Sequence, residues 1–386
     1  MSGPRVLFVT PTTPWPANSG GRIRTSQLIE RAGSDARITL FSVSPPGINM
    51  PAPERLSNAC ERIEVFEKTR PGLLARLALS QLERSFHSHH LHSAVQAALT
   101  EGSYDLVHID ELSVARTLGF SSTTPALIHH HKLDSRLATE LARHAQGVSD
   151  GEVARIRALE RRVCRAHRSH AVCSSNEARY LTEKYSARCA VVPNGFDAEV
   201  FKPGEQSPAQ DCILFLGTLS YQPNVQGLEW FVRRVLPLVH AKSPGIKLKI
   251  AGLDPTPRVR ALGNDRIEVL GEVSDPAEHF HRATCSIAPL LIGGGTRIKI
   301  LESLAAACPV VSTSVGAEGL NLPEGSAMIA DGEASFSAAL LSLFDDVKKA
   351  SDTALLTSRA LQERYSWGAS ASALLEAWED CASKTP

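Results

Sequence analysis

The sequence predicts an α/β protein made of two doubly wound domains, each a parallel sheet covered by helices on both faces. Three observations carry this. Short β-branched runs alternate with helical patterns almost throughout, 386 residues exceed what one core ordinarily serves, and one polar, turn-rich segment at 201–210 divides the strands into two sets. The first set is expected at 5–10, 37–43, 62–66, 106–109, 126–130, 169–173 and 190–192. The second is expected at 212–216, 247–251, 267–270, 285–288, 310–312 and 327–330. The expected organisation is a domain over 1–200, a linker over 201–210, a second domain over 211–364 and a terminal helical segment over 365–386.

Composition fits such a protein and excludes others. Lys plus Arg balances Asp plus Glu at 41 each, so no global field marks a nucleic-acid partner. The eight cysteines are scattered without a C-x-x-C pair and several sit inside apolar runs, where a reduced thiol packs as a small apolar group. No apolar segment is long enough to span a bilayer, and the chain enters its first strand without a signal-peptide pattern. A cytoplasmic enzyme is therefore expected.

The most informative run is 289–313. Gly293, Gly294 and Gly295 release backbone N–H groups before a helix expected to start near Thr296, a residue suited to an N-cap. Ile298, Leu301, Leu304, Ala305 and Cys308 recur at helical spacing as a buried stripe, leaving Lys299, Glu302 and Ser303 available. Unpaired first-turn N–H groups and the helix dipole stabilise an anion there by roughly 0.3–2 kcal/mol beyond its hydrogen bonds. Arg297 and Lys299 add positive charge. Because strands flank this helix on both sides, the glycines lie where an open α/β sheet meets its ligand, and a diphosphate is expected. The alternative is a plain glycine turn whose Lys299 and Glu302 form an exposed ion pair.

With these residues the chain resembles the retaining glycosyltransferases of family four, which have the two-domain GT-B fold. Pro289, the triple glycine, Thr296, Arg297, Lys299, Leu301, Glu302 and Pro309 to Thr313 match the family's pattern at nearly every position. The resemblance implies that Glu302 binds the donor's ribose hydroxyls, while the glycine loop and basic residues hold its diphosphate and sugar. Most relatives carry a further Glu where this chain has Gly294. Residues 213–228, with Gly217 in the loop after the strand, resemble the start of the family's second domain and place Gly217 at the donor. Many members have Arg at the position of Thr218 and Lys near Gln226; with both missing here, stabilisation of the leaving diphosphate falls to Arg297 and Lys299. Residues 191–197 resemble the family's V-P-N-G-V-D, and 365–381 its last helix, which crosses back to the first domain. Two Rossmann-like domains facing each other across a cleft, closing to gate turnover, are what the resemblance implies.

The first domain is then expected to receive the acceptor. Gly20 and Gly21 match paired glycines that face the donor diphosphate in the family, although a plain turn before a helix near Arg22 serves equally. Residues 126–135 resemble a strand ending in the family's active-site His, a register that selects His131; His129 and His130 are its alternatives. In an extended run His129 shares the face of His131 and His130 points away. Adjacent strand residues rarely converge on one ion, so no metal is expected. The histidines 87, 89, 90 and 92 read as a solvated face.

The implied reaction is sugar transfer from a nucleotide-sugar donor with retention of configuration and no cofactor or metal. The acceptor is expected to be a glycan, a lipid-linked glycan or a small metabolite, in polysaccharide biosynthesis. Front-face departure of the diphosphate, which itself takes the acceptor proton, is expected rather than a two-carboxylate scheme. The alternatives are a nucleotide-sugar epimerase or hydrolase and an inactive donor-binding subunit. Finally, the basic amphipathic stretch 70–84 suits a peripheral position on the inner face of a membrane, or ordinary tertiary packing, about equally.

Overall fold

A computed structural model describes residues 3–119, 124–144, 147–204, 211–362 and 364–383. Residues 205–210 of the expected linker lie outside the described residues. The chain divides into two compact units, one formed by Met1–Pro193 with Trp367–Pro386 and the other by Asn194–Ser366.

The first unit holds seven strands: β1 (Arg5–Thr10), β2 (Arg37–Ser44), β3 (Cys60–Glu67), β4 (Leu106–Asp110), β5 (Ala126–His130), β6 (Ser169–Val172) and β7 (Arg188–Val191). They form one parallel sheet in the order β3-β2-β1-β4-β5-β6-β7. Alternation along β1 shows why both faces are covered. Val6 and Phe8 pack with Leu28 and Ile29 of the helix Gly20–Ala32, whereas Leu7 and Val9 pack with Leu91 and Val95 of the helix His89–Glu101. The final helix, Trp367–Ser383, belongs to this unit and buries Leu374, Ala377, Trp378 and Cys381 against the Val6 and Phe8 face. A fully buried Leu contributes roughly 1.5–3 kcal/mol through the hydrophobic effect, so this helix is an integral layer of the unit.

The second unit holds β8 (Cys212–Leu216), β9 (Lys247–Ala251), β10 (Ile267–Gly271), β11 (Cys285–Ala288), β12 (Val310–Ser312) and β13 (Met328–Ile329). Its parallel sheet runs β10-β9-β8-β11-β12-β13. Ile213 and Phe215 face Val225, Leu228 and Phe231, while Leu214 faces Leu301 and Leu304. Strand order reverses at β1/β4 in the first unit and at β8/β11 in the second. The loops after these strands are where such sheets bind ligands.

All thirteen expected strands are present, with ends shifted by up to two residues. The helix expected from Thr296 instead spans Ile298–Ala305, with Arg297 at its N-cap in extended geometry. Gly295, at φ +73, keeps the chain turning until that point. The one-residue shift buries Ile300 in place of Ile298. It also buries Ser303, which was expected to stay available and instead bonds Ser286 Oγ at 2.6 Å and Cys308 O at 3.1 Å. The helix expected near Arg22 begins at Gly20. Among the described residues no helix is long and apolar enough to cross a membrane.

Candidate functional site

In the second unit the loop after β11 turns through Gly293, Gly294 and Gly295 into the helix Ile298–Ala305. Arg297 closes this turn on itself: its Nη1 donates to Gly294 O at 2.5 Å and to Gly295 O. A Cβ on Gly293 would fall 1.9 Å from Arg297 Nη2, so the guanidinium fills the space that a side chain there would need. Asn194 pins the turn from the other side, its Nδ2 donating to Thr296 Oγ1 at 2.8 Å and Thr296 O at 3.1 Å. Arg297 is thus buried against the turn.

Lys299 joins the two sides of the β8/β11 switch point. Its Nζ donates to Asn224 Oδ1 at 2.9 Å and lies 4.1 Å from the centre of the Phe215 ring. A Cβ on Gly217 would come within 2.6 Å of the same ammonium, and Gly217 therefore leaves room for a cation beside the loop after β8. Asn224 is held in turn by donating to Thr218 O at 2.8 Å. Burial, reinforced by the Arg297 charge, brings Lys299 down to about 7 against the opposing pull of Glu302. Glu302 is buried, and burial pushes its carboxyl up to about 7 although Lys299 favours its charged form. An exposed Lys299–Glu302 surface pair is thereby excluded.

The first unit places a second polar cluster at its own switch point. Asp110, at the carboxyl end of β4, is almost fully buried. Its Oδ2 accepts from Thr25 Oγ1 at 2.7 Å and Thr10 Oγ1 at 3.3 Å, and its Oδ1 lies 2.7 Å from His131 Nε2. The other ring nitrogen of His131 lies 3.2 Å from Glu111 Oε1, and Lys132 Nζ reaches Glu111 and Asp134 at 3.4 Å each. Burial opposes a charge on His131, but Asp110 and Glu111 outweigh it and raise the ring to about 9. Burial likewise opposes the charged form of Glu111, yet Lys132 and His131 bring it down to about 2. Glu111 has φ +81, a strained geometry for a residue with a Cβ, and such strain is held by its surroundings. Gly21 lies alongside, where a Cβ would sit 3.7 Å from His131 Nδ1 and 3.8 Å from Glu111 Oε1. Gly20 is the first residue of the same helix.

Behind Asp110 lie His108 and His129, both fully buried. Their tautomers follow from their neighbours. Trp378 Nε1–H can only donate, so His108 Nδ1 accepts it at 2.9 Å and carries its proton on Nε2. Arg24 can only donate, so His129 Nε2 accepts it at 2.6 Å and carries its proton on Nδ1. The two remaining nitrogens lie 3.3 Å from each other; as both are N–H donors they do not bond one another, and the acceptor they share is Asp110 Oδ1, 3.7 Å from each. Burial, then the Arg24 charge, holds His129 well below the usual range, and burial lowers His108 despite Asp110. His108, Asp110 and His129 bring one potential ligand atom each within 4.8 Å of one another. A cation there would need two unprotonated nitrogens on rings whose opposite nitrogens already accept from obligate donors, so the donor set does not fit a metal. His130 points to the other face of the sheet, its Nε2 3.0 Å from His170 Nδ1.

The structure therefore gathers Gly217, Gly293, Gly294, Gly295, Thr296, Arg297, Lys299 and Glu302 in the second unit, and Gly20, Gly21 and His131 in the first. Sequence reasoning missed Asn194, Asn224, Arg24, His108, Asp110, Glu111 and Trp378. One signal was legible: the buried run 106–109 ends in Asp110-Glu111, two carboxylates at the carboxyl end of a strand.

Residues 210–346 match the family described as Glycosyl transferases group 1. An uncharacterized 44.6 kDa protein in the cps region of Klebsiella pneumoniae is 29% identical over 163 residues, 40% of this chain and 42% of that relative, so the match spans about two fifths of the relative's length. Sucrose-phosphate synthase from Thermosynechococcus elongatus has a similar structure at 18% identity, with a TM-score of 0.77 over 98% of both chains. Anabaena HepE, solved with UDP and glucose, is similar at 15% identity and a TM-score of 0.70 over 97% of this chain and 99% of its own. These structural likenesses show the fold. Residues 210–346 thus match the group 1 glycosyl transferase family, within a chain of two Rossmann-like units of the GT-B fold class.

Proposed function

We propose that this protein is a retaining glycosyltransferase of family four that moves a sugar from a nucleotide-sugar donor to a glycan or lipid-linked acceptor. The observation that carries the proposal is the Lys299–Asn224 bond, which sets an ammonium between the glycine turn after β11 and the Gly217 loop after β8. A leaving nucleoside diphosphate needs cationic stabilisation as its bond to the sugar breaks. Neither Thr218, in the loop after β8, nor Gln226, in the helix Gln222–Trp230 that follows, is a cation, and Lys299 supplies one there from the helix Ile298–Ala305. This favours an active transferase over an inactive donor-binding subunit.

In this reading the amides of 293–296 and Lys299 hold the diphosphate, and Arg297 holds the shape of the turn. Glu302 binds the ribose hydroxyls. Its closeness to neutrality lets a buried carboxyl meet hydroxyl groups without an uncompensated charge. The first unit takes the acceptor, and His131, a cation at neutral pH, is assigned the donor sugar. The diphosphate leaves on the face that the acceptor attacks and takes its proton, so neither a covalent carboxylate nor a metal enters the scheme. The neighbour solved with UDP and glucose supports a uridine-type donor as the first to try.

The test is calorimetric titration with uridine, guanosine, adenosine and thymidine diphosphates and their sugars, followed by NMR of the product's anomeric proton. Binding of one diphosphate series and an unchanged anomeric configuration are expected. Failure of well-folded protein to bind any of them refutes the reading, as does unchanged turnover in both Lys299→Met and Arg297→Ala.

A further inference from the structure

The stretch 68–79 contains three cations, Lys68, Arg70 and Arg76, and no carboxylate, in a chain whose charges otherwise balance. Its helix, Leu73–Ala78, buries none of its residues. Leu73, Leu74 and Leu77 are 78%, 83% and 70% exposed, so tertiary packing does not account for them. The helix is nevertheless fixed. Leu79 is buried, Ser80 and Glu83 form a reciprocal cap on the next helix, and Arg84 Nη1 donates to Leu79 O at 2.7 Å and Arg76 O at 3.1 Å.

A second apolar pair lies along the same edge of the sheet. Ile48 and Met50, in the loop after β2, are each 50% exposed. That loop is tied to the chain leading into the helix: Gly47 N donates to Glu67 Oε1 at 2.9 Å, and Lys68 N donates to Ser44 O at 2.8 Å. The carboxylates of the adjoining strand β3 are occupied, Glu61 by Arg37, Glu64 by Arg62 and Glu67 by the Gly47 amide. What remains outward is leucine and positive charge, at the carboxyl ends of β2 and β3. Asp110 marks the same end of the same parallel sheet. Soluble monomers seldom present large side chains this way unless the surface is used. Apolar side chains beside unpaired Lys and Arg are the chemistry of an anionic lipid interface, with leucines among the acyl chains and cations at the headgroups.

We propose that Leu73, Leu74 and Leu77, flanked by Lys68, Arg70 and Arg76, dock the first unit on an anionic lipid surface. Combined with the proposed sugar transfer, on which this part rests, the docking makes the acceptor a lipid-linked one presented at that surface.

The experiment is co-sedimentation of the full chain with vesicles of phosphatidylethanolamine and phosphatidylglycerol, against vesicles of phosphatidylcholine alone. Binding to the anionic vesicles is expected to exceed binding to the neutral ones about tenfold at low salt and to fall with added salt. The triple variant Leu73→Glu, Leu74→Glu, Leu77→Glu and the double variant Arg70→Glu, Arg76→Glu should each lose about tenfold, with unchanged circular dichroism. In Leu74→Trp, anionic vesicles should shift tryptophan emission to the blue. The proposal is overturned if the wild type stays in the supernatant, if the triple variant binds equally, or if the wild type is a dimer that the triple variant renders monomeric. Thermal shift with nucleoside diphosphates on the same samples separates the two readings. Donor binding without vesicle binding refutes the docking alone, and the reverse refutes the sugar-transfer reading alone.

Discussion

Trp378 on the last helix donates its indole N–H to His108 Nδ1 at 2.9 Å, although 270 residues separate them in sequence. This fixes a proton on His108 Nε2, next to the carboxylate that holds His131. In ¹⁵N-histidine NMR at neutral pH we expect His108 as the Nε2–H tautomer, His129 as the Nδ1–H tautomer and His131 protonated on both nitrogens. Trp378→Phe should release His108 to a tautomer mixture and cost about 1–3 kcal/mol, because a buried acceptor loses its donor. An unchanged His108 spectrum in that variant would contradict the assignment.

The His131–Asp110 pair makes stability depend on pH in a definite direction. His131 is raised from 6.5 to about 9, so its contribution is fully present below 6.5 and is lost as pH rises through about 9. That interval corresponds to about 3 kcal/mol as an order of magnitude. Urea unfolding between pH 6.5 and 9.5 should show this decline in the wild type and a much flatter profile in Asp110→Asn. Equal slopes would show that Asp110 does not hold the charge.

Lys299 titrates in the opposite sense. With its amine at about 7 in the free protein, it is mostly neutral at pH 8, and a bound diphosphate favours its protonated form. Calorimetry at pH 8 in buffers of different ionisation enthalpy should therefore report uptake of about one proton per diphosphate bound. Affinity should weaken as pH rises further. Lys299→Met should bind more weakly and take up no proton; retention of the uptake would assign it to another group.

Two glycines weigh differently on binding and on folding. In Gly217→Ala, at φ +158, the new methyl would lie 2.6 Å from the Lys299 ammonium and 3.1 Å from Asn224 Nδ2, so these side-chain ends shift and diphosphate affinity should fall about tenfold, with a smaller loss of stability than in the second variant. In Gly252→Ala the methyl would lie 1.8 Å from Gly217 O, a backbone atom that cannot swing away, at a position with φ +145. A loss of about 3 kcal/mol or more is expected by urea denaturation. The reverse ranking would place Lys299 away from the ligand.

Much of the second unit's site was legible because it is nearly contiguous. Three glycines, two cations and a carboxylate within 293–302 carry their own chemistry, and the flanking strands place them at the end of a sheet. Even there the sequence put Thr296 at the helix cap, since it could not show that Arg297 would fold back onto Gly294 O and Gly295 O. The partner of Lys299, Asn224, was invisible for a similar reason: an asparagine 75 residues upstream has no local signature.

Alternating β-branched and helical periods by themselves determined two parallel α/β units and all thirteen strands, because burial on both faces of a sheet imposes a pattern within each short segment. Tertiary structure alone decided the charge on His131, which depends on Asp110, Glu111, Thr10, Thr25 and the Trp378-directed tautomer of His108. It also decided that Leu73, Leu74 and Leu77 stay exposed. Ionisation and exposure are set by neighbours in space, and five of the groups around His131 come from positions as distant as 10 and 378, so no window of sequence contains them.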